Sequence, residues 1–315
     1  MKKTVLYALR LILPAQLLFL SPLQSQQDQP KRPVRYLASW GGPGSGPAEF
    51  KAPEDLDVSP TGYLYIADTG NQRIQKLSPS GEYVTEIGGF GWGAGLFDRP
   101  VSIWAGNGLD VFAADYGNHR IQRFDKDLFF IGEFTSSEDT PDRLRFGYPL
   151  DAALSSQGEL FCLDGENRRV LKLDIAGDPQ ISFGGYDSGQ GRLIGPQRLM
   201  LSADGNVYVS DRQAGRVTVF DPLGNFLHDF GRNILSVPEG LAESGEDLVL
   251  IADPGLKRVS LFTKPGFPAG SFDLPTITGR RFERPVAVAS WKNRIYVLDK
   301  IRCTVDCFEW NASKR

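Results

Sequence analysis

Tyr63-Leu64-Tyr65-Ile66-Ala67-Asp68-Thr69-Gly70-Asn71-Gln72-Arg73-Ile74 is followed 47 residues later by Asp110-Val111-Phe112-Ala113-Ala114-Asp115-Tyr116-Gly117-Asn118-His119-Arg120-Ile121. Each stretch is an apolar run ending in Asp, a short polar turn, and an Arg followed by a β-branched residue that opens a second run. Working outward, an apolar residue stands three positions before a proline six times: Phe50/Pro53, Phe97/Pro100, Phe146/Pro149, Leu193/Pro196, Leu235/Pro238 and Phe282/Pro285. An Asp follows each proline after 14 or 15 residues: Asp68, Asp115, Asp164, Asp211, Asp253 and Asp299. Five residues later come Arg73, Arg120, Arg169, Arg216 and Arg258, with Thr304 breaking the series. Six copies at a period of 42–49 residues define an internal repeat.

Within each copy the pattern reads as four short strands. An apolar strand follows the proline, and a hairpin with Gly62, Gly108, Gly158 or Gly205 supplies the positive φ such turns need. The second strand leads into the Asp, the third starts at the β-branched residue, and the fourth ends at Ile87, Phe134, Phe183, Phe230 or Phe272. No helix of useful length is predicted. Antiparallel four-stranded units at this period specify an all-β, six-bladed β-propeller. The last copy lacks its fourth strand, and residues 34–41 supply one. Trp40 precedes Pro53 by 13 residues, as Ile87 precedes Pro100 and Phe183 precedes Pro196. The sequence therefore predicts that 34–41 pairs with 305–310 and closes the ring, removing a free blade edge.

The Asp-x-x-Asn-x-Arg-[Ile/Val] core at 68–74 and 115–121, with its Phe-x-x-Pro and Gly-x-Leu-Tyr-Ile-Ala flanks, resembles the NHL repeat. The resemblance extends over about residues 34–310. It is strongest in the first three copies, because Ala214, Leu256 and Arg302 replace the Asn afterwards. It implies a six-bladed propeller used mostly for binding, with a few enzymatic relatives. Its amidating-lyase relatives use a histidine-bound zinc, which His119 and His228, the two histidines here, cannot supply alone.

Outside the repeats, Lys2, Lys3 and the apolar run 11–20 read as a signal peptide over residues 1–25. Residues 26–33 read as a linker, 34–310 as the propeller and 311–315 as a C-terminal tail. A periplasmic or secreted protein is expected, with no membrane span after cleavage; retention of the segment as an anchor is the alternative. Without residues 1–25 the chain has 32 basic and 38 acidic side chains, net −6, which disfavours nucleic acid as a partner. Cys162, Cys303 and Cys307 read as small buried residues rather than a disulfide framework.

Asp68, Asp115, Asp164, Asp211, Asp253 and Asp299, with Arg73, Arg120, Arg169, Arg216 and Arg258, are read as structural, because stacked blades need recurring contacts. Asn71, Asn118 and Asn167 fit the same role, since Asn tolerates left-handed turns and bonds local backbone. Function is expected where the copies differ, on the loops entering the first strand and joining the second to the third. Arg99, Tyr116, His119, Tyr148, Arg168, Arg198, Arg212, Lys257 and Arg284 are the candidate partner-binding residues of that channel-mouth face. The expected partner is a protein, peptide or envelope glycan, the expected state a monomer, and no cofactor is expected. The alternative is a metal-dependent hydrolase or lyase holding calcium or another divalent cation on Glu54, Asp55, Asp151 and Glu239. Trp92 and Trp104 are read as packing between blades.

Overall fold

The computed structural model describes residues 34–310 except 175, 246 and 275–279. The expected signal peptide, linker and C-terminal tail lie outside the described residues. Among the described residues, 24 strands form six four-stranded antiparallel sheets, and the helical segments are single 3-10 turns of three residues. No helix of the described residues is long and apolar enough to cross a membrane. Five sheets run from an inner to an outer strand in chain order, the sixth takes its outer strand from the start of the described chain, and each inner strand touches that of the next blade, the sixth returning to the first. The blades, numbered one to six, have inner strands Asp55–Val58, Pro100–Trp104, Pro149–Leu154, Pro196–Leu201, Leu241–Ser244 and Pro285–Trp291.

The ring closes as the strand count requires. Val34–Gly41 lies antiparallel on Thr304–Trp310, from Val34↔Trp310 to Gly41↔Thr304, with one irregularity between Tyr36 and Ala38. It is the outer strand of blade six. Trp40 takes the place that Phe183 and Phe230 hold in blades three and four: each ring backs onto a hairpin glycine of the following blade. Gly81, at φ +85°, sits so close that an added Cβ would lie 2.2 Å from the Trp40 indole, so both its backbone and its neighbour require glycine.

A twisted sheet with two apolar faces must bury both, and six apolar clusters fill the six gaps between blades. The sixth gap joins Leu56, Leu64 and Ile66 of blade one to Val286, Tyr296 and Leu298 of blade six, all buried. Full burial of such side chains stabilises by about 1.5–3 kcal/mol each. Cys162, Cys303 and Cys307 are unbridged and buried.

The repeated aspartates are fully buried in all six blades. In blade one Asp68 accepts from Arg73 Nε (2.8 Å), Asn71 Nδ2 (2.8 Å) and the N–H of Lys51 (2.7 Å). The rest of the Arg73 guanidinium bonds the carbonyls of Ser45, Gly46 and Glu49 and the Glu86 carboxylate. Blade two repeats this with Asp115, Asn118 and Arg120, and blade three forms the same trio with Asp164, Asn167 and Arg169. The arginine thus grips the aspartate by one nitrogen and the entering loop by the other two. Asn71 and Asn118 also donate to the entering loop, at Gly44 and Gly91. The left-handed residue of this turn is the next one along: Gln72, His119, Arg168, Lys257 and Cys303 have φ of 53–56°. The expectation that Asn occupies that conformation is corrected by one position, because Asn spends its side chain on the aspartate and the entering loop.

Candidate functional site: the channel and its two faces

Antiparallel strands place the entering loops and the second-to-third loops on one face, here called upper, and the remaining hairpins on the lower face. On the upper face the two loop types are tied together, as where Gly117 N–H donates to the Asp98 carbonyl (2.8 Å). At the seam of blades two and three they carry a ring cluster. The Arg99 guanidinium lies 4.7 Å from the Tyr116 ring centre, Tyr148 is 4.9 Å from Tyr116, and His119 is 4.1 Å from Tyr148. Arg99, His119 and Tyr148 are exposed. Arg99 sits at φ +61° with its N–H on Gln72 Oε1 (2.6 Å), a backbone state that costs a non-glycine residue energy and collects at functional sites.

Arg168, Arg212 and Lys257 are also exposed there. Lys257 lies 3.5 Å from Glu283, while Arg212 (3.7 Å) and Arg284 (3.1 Å) flank the buried Glu239. Arg198 differs. It is 4% exposed and belongs to the channel wall, not to the surface where its sequence position suggested. From blade four its Nη2 reaches across to the carbonyls of Glu54 in blade one and Val101 in blade two, both at 2.8 Å, and Nη1 bonds the Gln197 carbonyl. This strut closes the upper end of the channel.

Beside the strut, inner-strand carboxylates staple neighbouring blades. Asp55 accepts from the N–H groups of Leu56 and, in blade two, Ile103 (3.0 and 3.1 Å). Asp151 does the same for Ala152 and blade-four Leu199 (both 2.8 Å), and Asp57 for Val58 and blade-two Ala105 (both 2.7 Å). Burial pushes the carboxyls of Asp57 and Asp151 up to about 7, with the neighbouring Asp55 charge adding to it. Burial also raises Asp55, against the opposing pull of Arg198.

Residues 50–77 match the family model described as the NHL repeat. This stretch carries an NHL repeat within a six-bladed propeller. The chain is 23% identical over 124 residues to Protein brain tumor of Drosophila melanogaster, a match covering 39% of this chain and 12% of that protein. It is 38% identical over 52 residues to E3 ubiquitin-protein ligase TRIM71 of Rattus norvegicus, 16% of this chain and 6% of that protein. The matches thus span only a small part of these relatives' length. Among solved structures the propeller superposes on a streptogramin B lyase with a TM-score of 0.59 and 14% identity, covering 89% of this chain and 97% of that one. A catalytically inactive virginiamycin B lyase from Staphylococcus aureus with quinupristin gives 0.58 and 17%, covering 85% and 82%. These likenesses are likenesses of fold.

The four carboxylates proposed for a metal each face a cationic side chain in the propeller. Glu54 is paired with Lys300, Glu239 with Arg284, and Asp55 and Asp151 feel the Arg198 guanidinium. Among the described residues no group of three His, Cys, Asp or Glu side chains converges in a way that could hold a metal ion. Below the strut the channel widens into a cavity of about 350 Å³ lined by all six blades and opening on the lower face. An adjoining cleft of about 590 Å³ shares Trp104, Gly106, Leu201 and Glu243 with it. Sequence reasoning missed this concavity. Its available signal was Trp104 and Trp291, each closing an inner strand; Trp104 does pack against the apolar cluster between blades two and three, but it also lines both hollows. Trp92 is 70% exposed rather than packed.

Proposed function

We propose that the protein is a non-catalytic binding propeller of the periplasm or extracellular space, whose upper face engages a protein, peptide or envelope glycan. The observation that carries this reading is the exposed cluster of Arg99, Tyr116, His119 and Tyr148. It presents a guanidinium and aromatic faces on rigid turns, the residue types over-represented in binding hot spots. Exposed Arg168, Arg212 and Lys257 extend the cationic surface around the channel mouth, which favours an anionic or polar partner. The catalytic alternative draws on the lyase-like fold, but fold does not fix chemistry. The cationic partners of Glu54, Asp55, Asp151 and Glu239 weigh against a divalent ion there.

The test is retention of peptide and glycan ligands from a cell-envelope extract by immobilised protein, comparing wild type with the triple variant Arg99→Glu, Arg168→Glu, Lys257→Glu. Loss of retention is expected; equal retention would remove the upper face from the reading. Arg198 is not a useful probe, because its replacement alters the channel. Elemental analysis of the purified protein gives the second readout, and stoichiometric calcium or zinc would favour the metal-dependent alternative.

A further inference from the structure

We propose that the lower half of the channel is a binding site for a small organic cation, a primary ammonium carried on an apolar body. The volume of about 350 Å³ lies within the range of about 300–1,000 Å³ typical of small-molecule sites. Its lining is mixed: Trp104, Met200 and Trp291 lie on it together with Ser59 and Ser290.

The charged groups stand at the two ends. At the deep end Asp55 and Asp151 share a single guanidinium, Asp57 lies close enough to feel the Asp55 charge, and the terminal nitrogens of Arg198 are spent on the carbonyls of Glu54, Val101 and Gln197. Each oxygen of Asp57 accepts one backbone N–H and so keeps a second lone pair for a ligand donor. The excess of buried negative charge is what a bound ammonium would offset. The values near 7 for Asp57 and Asp151 report the same deficit, set by burial and by the mutual repulsion of these carboxylates around Arg198. The other ionisable groups on the cavity are Glu243, already paired with Lys264, and Lys292.

At the mouth, Trp291 is held by its Nε1–H bond to the Pro60 carbonyl (2.9 Å), and the Lys292 ammonium rests 4.4 Å from the indole centre. That indole face therefore already accepts an ammonium. An entering cation could use the same attraction before reaching the carboxylates. A divalent metal is less well served, since among the described residues no group of three His, Cys, Asp or Glu side chains converges as its ligands would. A carboxylate ligand would face three like charges.

The experiment titrates the full protein at pH 8 with 2-phenylethylammonium, 2-phenylethanol and phenylacetate, following tryptophan fluorescence and heat. The ammonium is expected to bind at least about tenfold more tightly than either analogue. Ala242→Leu, which fills the cavity wall away from the carboxylates, and Asp57→Asn are each expected to weaken it by about tenfold or more. Arg99→Glu on the upper face should leave it unchanged, which separates this site from the partner-binding face. Equal affinity for the alcohol, no binding of the ammonium at about 1 mM, or full affinity in a folded Ala242→Leu protein would each overturn the proposal. Because Asn cannot accept both backbone N–H groups that Asp57 accepts, thermal melts accompany each variant, and Ala242→Leu decides if Asp57→Asn fails to fold.

Discussion

In blades one to three the repeated aspartate holds an asparagine and an arginine; in blades four to six it holds backbone N–H groups alone. Asp211 accepts from Ile194, Gly195 and Ala214, Asp253 from Ser236, Val237 and Leu256, and Asp299 from Glu283, Arg284, Ile301 and Arg302. Where the side-chain donors are absent, two consecutive N–H groups of the entering loop reach the carboxylate in place of one. Arg216 keeps the fourth-strand carboxylate, Asp229, and the entering-loop carbonyl, Arg192, as Arg73 keeps Glu86 and Glu49, but without a bond to the aspartate, and Arg258 bonds Ser260. The fold requires a satisfied buried carboxylate at this point, and it accepts more than one set of donors. The Asp–Arg pair is one solution and not the rule.

The strongest way to break this comparison is to remove the arginine on each side of it. Arg120→Ala should cost about 3–5 kcal/mol, because it strips a partner from a fully buried aspartate and frees the carbonyls of Trp92, Gly93 and Leu96. Arg258→Ala should cost less than about 1 kcal/mol. Equal losses in urea unfolding would show that the two halves do not differ.

A smaller effect concerns pH. Asp57 lies in the first half, and its folded value of about 7 stands above the ordinary carboxylate value of 3.8. The native state therefore keeps a proton that the unfolded chain releases, so this contribution is full below about pH 4 and is lost as pH rises through about 7. Asp57→Asn should accordingly cost more at pH 5 than at pH 8, a difference of a few degrees in thermal midpoint. A constant cost would refute it.

The smallest test sharpens the comparison. Asn118→Ala should destabilise by about 1–2 kcal/mol, by leaving the Asp115 carboxylate and the Gly91 carbonyl short of a donor. The reverse change, Ala214→Asn, should move stability by less than about 0.5 kcal/mol, since the Asp211 oxygens are already occupied. A gain equal to the Asn118 loss would mean the halves are interchangeable.

The blades and their closure could be read from the chain because each depends on local spacing. A hairpin glycine, a proline and an aspartate recur at fixed offsets, and Trp40 announces the borrowed strand by its distance from Pro53. The channel could not be read that way. Inner strands shift register next to their prolines, between Pro100 and Ser102, Pro149 and Asp151, Pro196 and Arg198, and Pro285 and Ala287. Such bulges re-aim side chains, so counting alternate residues from the proline does not tell which of them faces the axis. Arg198 looked like an upper-face residue for this reason. Its contacts with Glu54 and Val101 lie 144 and 97 residues away, and no local pattern encodes them. The lower cavity is likewise a product of six strands meeting, and single tryptophans in the sequence could not disclose it.

The closing strand also sets how the ring would answer to a pull. Val34 is paired with Trp310, so tethers attached at these two residues would both pull on one corner of blade six. Tension between two such tethers would load the ladder one rung at a time, from Val34↔Trp310 toward Gly41↔Thr304, rather than all rungs together. Peeling of this kind yields at low force and can re-zip when the load is released. The seam that completes the propeller is thus its mechanical fuse, while the covalently continuous blades carry no share of that first opening.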